Sequence, residues 1–357
     1  MQETARRAFV ATLVVLAVVL SALALWKLKA ILGLLFLAFI IAAAMRPGVE
    51  GLARRRIPRA AGVLLHYAVL VGLVALFLWL VVPRALDQVQ QALGTNGVPT
   101  SAQDFKRAAK HTTGIRHKVL VSLQHRLERL NSASVLSPAI DVTLKVFEAL
   151  VGVFFTFAAA AYWIFERDRA IGLVLSLLPR RKRKVVRDTW DLIDLKLGAF
   201  VRGEFLLITL VATALSLAFW AIGLPYWLLV GIFAGIVEIV PVVGPLAAGT
   251  VAVAIGATVS WHTAILAGVA VLVVRLLEDY IVIPRVLGHA VGISPLLVLI
   301  SVTSVTVLFG GFAILFAVPI AAVVATLVDV IVRGRDPAEE EVPTVLFGTA
   351  KESEVAG

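Results

Sequence analysis

Between Tyr226 and Gly288 the chain has apolar runs long enough for lipid, broken by a Pro-x-x-Gly-Pro turn at Pro241–Pro245. Within those runs sit four charged side chains, Glu238, Arg275, Glu278 and Asp279. In hydrocarbon, an interrupted backbone or an ionised group is costly unless protein or a water-filled cavity surrounds it. A segment that keeps both is therefore constrained to line a path or a binding site within a bundle of helices. The predicted class is all-α: a polytopic membrane protein organised around this stretch.

Composition agrees. Sixty per cent of the residues are hydrophobic and the mean hydropathy is +0.98, against roughly half apolar in soluble domains. The length suits about eight transmembrane helices and one modest soluble insert. The formal net charge of +10 does not point to nucleic acid. Its cations cluster in short connections between apolar runs, which marks cytoplasmic loops and contact with membrane lipid. With no cysteine in the chain, disulfides, thiolate metal sites and a Cys nucleophile are excluded. The six histidines lack metal-ligand spacing, and no HExxH, GxSxG or P-loop occurs. The expectation is a non-enzyme without cofactor or metal; the rival, an intramembrane hydrolase, would need a nucleophile and base facing one another.

Residues 1–83 read as membrane helices 1–3. Phe9–Trp26 and Ala30–Met45, separated by Lys27-Leu28-Lys29, form a two-helix hairpin in preference to a signal peptide cleaved after Ala22-Leu23-Ala24. A basic loop, Arg46–Arg59, leads to a third span at Ala60–Val82. His66 within that span reads as a hydrogen-bonded packing residue rather than a proton relay. Residues 84–145 form one extracytoplasmic helical segment, with an amphipathic helix over Leu120, Leu123, Leu127 and Leu130 after a Gly- and Pro-containing loop. It serves either as a cap or in gating. Residues 146–335 are the core, starting with a span at Ala149–Phe165. The run Arg180–Lys184 then anchors a cytoplasmic interfacial helix, 180–202, whose apolar face is Val186, Trp190, Ile193 and Leu197. Placing both basic regions inside puts the amino terminus inside and the 84–145 segment outside.

Phe205–Ile222 is the next span. Trp227–Val240 and Leu246–Ser260 are short of the roughly twenty residues a spanning helix wants; they form a re-entrant hairpin tipped at Pro241–Pro245 or two short tilted spans. Gly231 and Gly235 make a small-xxx-small face for close helix contact. Thr263–Ile283 crosses inward and is broken by Pro284-Arg285. Ile293–Phe309 and Phe312–Val332 form a last hairpin hinged at Gly310-Gly311, with Pro319 in its second arm. Arg333 and Arg335 end inside, before an acidic tail, residues 336–357, expected to be disordered.

From Phe165 to Val332 the chain resembles the AI-2E transporter family, the PerM-type permeases. The matching blocks are FERDRAIGLVLSLLPRRKR, VRGE at 201–204, GLPYWLLVGIFAG, EIVPVVGP, LLEDYIVIPRVLGHAVGISPLLVL and FGGFAILFAVPIAA. The resemblance implies a bacterial inner-membrane protein working as a homo-oligomer, with a pentamer as the expected form. Family members are assigned export of autoinducer-2 or sodium/proton antiport.

Transport needs hydrogen-bonding groups at membrane depth and helices that shift. Gly231, Gly235, Pro241, Gly244, Pro245, Pro284, Gly310, Gly311 and Pro319 supply breaks and close contacts. Glu238, Arg275, Glu278, Asp279 and Arg285 are the candidates for the substrate path or ion coupling. Ser294, Ser301, Thr303, Ser304 and Thr306 offer neutral contacts for a polyhydroxylated solute, or bond only their own helix. Two functions follow: a secondary transporter exporting a small polar solute (autoinducer-2-like), or a cation/proton antiporter using an intramembrane carboxylate. If Trp227 and Thr263 start at the same boundary, Glu238 and Arg275 each lie roughly 17 Å deep at about 1.5 Å per residue. Opposite charges at one depth should pair across the two segments, in competition with Glu278 and Asp279 on the helix of Arg275.

Overall fold

The computed structural model describes residues 2–93, 136–240, 243–286, 295–340 and 342, and among these there is no β-strand. The helices are α1 (Gln2–Arg54), α2 (Arg59–Leu93), α3 (Leu136–Ser176), α4 (Arg180–Ala221), α5 (Trp227–Val237), α6 (Val243–Ala257) and α7 (Trp261–Leu277). A π turn, Glu278–Val282, joins α7 to α8 (Ile283–Val286); α9 (Pro295–Phe309) is followed by a 3-10 turn, Gly311–Phe316, and α10 (Ala317–Ile331). Five helices among the described residues are long and apolar enough to cross a bilayer, in α1, α2, α3, α4 and at Ala313–Ile331. Shorter apolar helices accompany them. This is a polytopic all-α membrane protein. Large apolar side chains such as Trp79, Phe154 and Val307 stand exposed on its outside, where lipid rather than water is the fitting solvent.

α4 is the hub. It contacts α1, α3, α5, α7 and α10. On one side Val211, Leu215 and Phe219 of α4 pack with Val230 and Ala234 of α5, Ala252 of α6 and Ala267 of α7. On another, Leu197 of α4 packs with Ile40 and Ala43 of α1 and with Phe316 and Ala317 at the start of α10. Small residues set the spacing. A Cβ on Gly198 would lie 2.5 Å from the Ala43 carbonyl oxygen, so α1 and α4 cross with their backbones nearly touching.

Three expectations change. First, α1 is one helix of 53 residues, about 80 Å of continuous rise, rather than a hairpin. Lys27-Leu28-Lys29 is made of good helix formers and offers none of the Gly, Pro, Asn or Asp that a reversal needs, and Lys29 folds back over the Trp26 ring. The second half of α1 finds its partners in α3, α4 and α10 instead. Residues 1–83 therefore hold two helices, not three.

Second, 180–202 is not a separate interfacial helix. It continues unbroken through the next span as the 42 residues of α4. Trp190 stacks on Trp163 of α3 and meets Phe39 of α1 edge-on, so its apolar face is sealed by protein. Two residues of its polar face, Asp194 and Lys196, are buried as well.

Third, Pro284 does not end its helix. The π turn ahead of it has the Ile283 N–H bonded to the Glu278 carbonyl, five residues back. That wider turn lets helical structure run past a residue that lacks an N–H and crowds the preceding turn.

The last hairpin is as expected in its parts: Gly310, at φ 91°, turns the chain between α9 and the 3-10 turn, and Pro319 is fully buried in the first turn of α10. The tail starts with structure rather than disorder, since Glu340 pairs with Lys196 at 2.6 Å. The Leu120–Leu130 helix and residues 343–357 lie outside the described residues. His66 packs: its Nδ1 is 2.8 Å from the Gly62 carbonyl oxygen, and a Cβ on Gly48 would strike its ring.

Candidate functional site

The site is built by helices too short to cross. α5 has 11 residues and α6 has 15, about 16 and 22 Å of rise against a core of about 30 Å. They pack on each other, and the chain returns so tightly that a Cβ on Gly244 would sit 3.0 Å from the Glu238 Cα. Only glycine allows that approach. The two arms form a tight helical hairpin, one ending at Val237 and the other starting at Val243, which both readings of the segment share. Pro245 stands in the first turn of α6, where its missing N–H is harmless; Pro241 lies outside the described residues.

The hairpin is pinned to α4 by the predicted small face. A Cβ on Gly235 would come within 2.6 Å of the Ala212 Cβ and 2.7 Å of the Ile208 carbonyl oxygen, and one on Gly231 would overlap the backbone and hydroxyl of Ser216. On the other flank a Cβ on Gly256 of α6 would meet the Ala264 Cα of α7 at 2.8 Å. Glu238 at the end of α5 and Arg275 in the last turn of α7 are thus held by backbone-to-backbone packing.

Here Arg275 gathers three carboxylates. Its Nη1 donates to Glu238 Oε1 at 2.8 Å and to Glu278 Oε2 at 3.2 Å. Its Nε donates to Asp279 Oδ2 at 3.0 Å, and Nη2 lies 2.8 Å from Asp279 Oδ1. The pairings that compete in the sequence coexist, because a guanidinium has donors enough for all three. Glu238 and Glu278 are nearly buried, at 8% and 4% of side-chain exposure, while Asp279 is at 40%. The π turn opens at the two acids, Glu278 and Asp279.

Sequence reasoning missed a fourth acid. Glu204, in the VRGE block, stands on α4 within electrostatic reach of both Glu238 and Glu278. The signal was faint, since Glu204 directly precedes the apolar run Phe205–Ile222 and reads as the polar border of that span. Among the described residues every ion pair of Glu238, Glu278 and Asp279 runs to Arg275. Three carboxylates share one guanidinium, with Glu204 a fourth acid nearby, an excess of negative charge that an added proton or cation would offset. No group of three or more metal-ligating side chains is gathered to hold a metal ion among the described residues.

Other candidates fall elsewhere. Arg285 is on α8, about two turns beyond Glu278. Gly310, Gly311 and Pro319 belong to the α9–α10 hairpin, which packs on α1 and α4 rather than on the cluster. Of the hydroxyls, Thr303 donates to the Leu299 carbonyl of its own helix at 2.9 Å, and Ser294 is outside the described residues.

A second charged cluster, also unforeseen, joins α1, α3 and α4. Arg167 Nε donates to Asp194 Oδ2 at 2.5 Å and its Nη2 to Asp191. Arg46 Nη1 donates to the same Asp194 oxygen at 3.2 Å and its Nε to Glu50 at 2.5 Å.

Comparison with known proteins converges on one group. The sequence profile of the AI-2E family transporters matches residues 13–333. The Bacillus subtilis protein YrrI, a transport protein by name, is 22% identical over 303 residues, covering 82% of this chain and 84% of YrrI. YueF of the same organism, also a transport protein by name, is 27% identical over 304 residues, covering 80% of each chain. A Mycobacterium tuberculosis transport protein is 24% identical over 335 residues, with 90% of this chain and 89% of its own length covered.

Proposed function

This chain belongs to the AI-2E family of transporters, and from that premise we propose that it is a secondary transporter whose driving ion is taken up at the Arg275 cluster. The observation that carries the reading is three carboxylates paired to one guanidinium, with a fourth acid, Glu204, close to two of them. Such a group sits near charge balance only when protons or cations enter it, and their arrival and departure changes what Arg275 holds. Release of Glu238 from Arg275 would free the end of α5 from α7 while α6 stays packed on α7, the kind of broken-helix shift that secondary transporters use. A proton suits the site better than a metal ion, given that the carboxylates are not gathered as a ligand set.

The transported solute is small and polar, autoinducer-2-like, and moves outward along the segments spanning 227–289; sodium/proton exchange at the same acids is the alternative. The protein resides in the bacterial inner membrane as a homo-oligomer, a pentamer on the family resemblance. The basic regions Arg46–Arg59, Arg180–Lys184 and Arg333–Arg335 face the cytoplasm. A continuous α1 that crosses once then carries the amino terminus to the opposite face, unlike the hairpin arrangement.

Proteoliposome flux with imposed proton or sodium gradients tests the coupling. A proton gradient should drive solute counterflow in the native protein and fail to do so in Glu238→Gln. Flux that ignores both gradients, with Glu238→Gln active, would sink the proposal. For orientation, a cysteine at Gly97 should be labelled from outside in intact cells and one at Lys184 should not.

A further inference from the structure

At the corner between α3 and α4 the surface holds a groove of about 440 Å³ lined by Gly172, Leu175, Ser176, Arg183, Lys184 and Arg187. We propose that this groove binds the phosphate headgroup of an anionic phospholipid, a site independent of whatever the protein transports. Its cations come from two turns of one helix: Arg183 and Arg187 are four residues apart and Lys184 and Arg187 three, so all three reach the same side.

They differ in what holds them. Arg183 donates from Nε to the Leu178 carbonyl at 3.1 Å and from Nη2 to the Ser176 carbonyl at 3.3 Å. Those bonds cap the end of α3 and fix the guanidinium at the groove, with N–H groups to spare. Lys184 and Arg187 make no ion pair or side-chain hydrogen bond among the described residues. Unpaired cations beside a fixed guanidinium suit a phosphate, which accepts from several donors at once.

The surroundings select a lipid over a soluble phosphate. Leu175 is buried at the floor. Leu173 and Leu177, on either side of it in sequence, are exposed at 65% and 86%. A Cβ added at Gly172 would meet nothing within 4 Å, so the missing side chain serves no packing contact and leaves the groove wall low. Cations with apolar side chains at the mouth of a bilayer-crossing bundle match a headgroup followed by its acyl chains. The Ser176 hydroxyl donates to the Leu173 carbonyl at 2.6 Å, which leaves charge, rather than that hydroxyl, to supply the donors.

The test separates a built site from the general attraction of a basic surface. Purified full-length protein is titrated with phosphatidylglycerol in detergent and the bound lipid counted by native mass spectrometry. The variant K184Q/R187Q is compared with R181Q/K182Q, which removes the same charge from outside the groove. The groove pair should weaken retention about tenfold more than the control pair, where surface potential alone treats each cation alike. K184R/R187K should retain binding, showing that the loss is not misfolding. Phosphatidylcholine should not compete, and millimolar inorganic phosphate should not displace the lipid. Equal losses in the two neutralised pairs would reduce the site to surface potential and overturn it. Displacement by inorganic phosphate would show a soluble phosphate site and overturn the lipid assignment.

Discussion

Two buried charge clusters brace this molecule, and they are built on opposite principles. Around Asp194, two guanidiniums, Arg46 and Arg167, face two aspartates, with Glu50 and Asp168 on the exposed rim. The buried members of this cluster, Arg167 and Asp194, balance each other, and three helices converge on them. Around Arg275, one guanidinium serves Glu238, Glu278 and Asp279, with Glu204 nearby on α4. A balanced cluster has one stable arrangement and works as a clamp. An acid-rich one needs a mobile positive charge to complete it, so its arrangement depends on what has bound. The contrast suits a bracing role for the first and agrees with the coupling proposed for the second.

The largest effect should come from breaking the clamp. Arg167→Met leaves the buried Asp194 with Arg46 alone, at 3.2 Å, and should cost about 3 kcal/mol, read as loss of monodisperse protein and a lowered unfolding temperature in detergent. If that variant folds like the native protein, the cluster is not the brace described. The same acid-to-amide change should then act differently at the two sites. Asp194→Asn should destabilise by about 3 kcal/mol because Arg167 loses its buried partner. Glu238→Gln relieves repulsion among acids, so it should leave the unfolding temperature unchanged or raised while cutting gradient-driven flux about tenfold or more, the equivalent of 1.4 kcal/mol per factor of ten. Equal destabilisation by both amides would erase the distinction.

Reversing the pair sharpens it further. Glu238→Arg combined with Arg275→Glu should recover part of the flux that either single change removes, measured in the same vesicles. A double variant no better than the worse single one would mean that the pair does not act as a unit. The smallest effect is expected where the tail meets the bundle. Lys196 is buried and bonds Thr326 at 3.2 Å as well as Glu340. Glu340→Ala leaves Lys196 its bond to Thr326 and admits water where the tail lay, so it should cost about 1–2 kcal/mol, with flux unaltered; a gain in flux would instead identify the tail contact as a restraint on transport.

Much of this was legible in the residues. Hydropathy is a local quantity, so the membrane class, the short segments at 227–260, the Gly310 hinge and the sidedness expected of the basic runs could be read along the chain. The depth match of Glu238 and Arg275 could also be read, because rise per residue is fixed once two helices share a boundary. The small face of Gly231 and Gly235 was legible for the same reason, its four-residue spacing being a property of one helix.

What the chain order could not supply is which helix faces which. Arg46 and Asp194 are 148 residues apart, and Arg167 and Asp194 lie on different helices, so no periodicity links them. Glu204 joins the Arg275 cluster only because Gly231 and Gly235 let α5 press against α4. The partners of α1, too, were settled by packing. Its second half needed a partner, and sequence reasoning supplied the nearest apolar run, whereas the fold supplied α3, α4 and α10. Burial of a charge or of an apolar face is satisfied by whatever the fold brings near, and that choice is made in three dimensions.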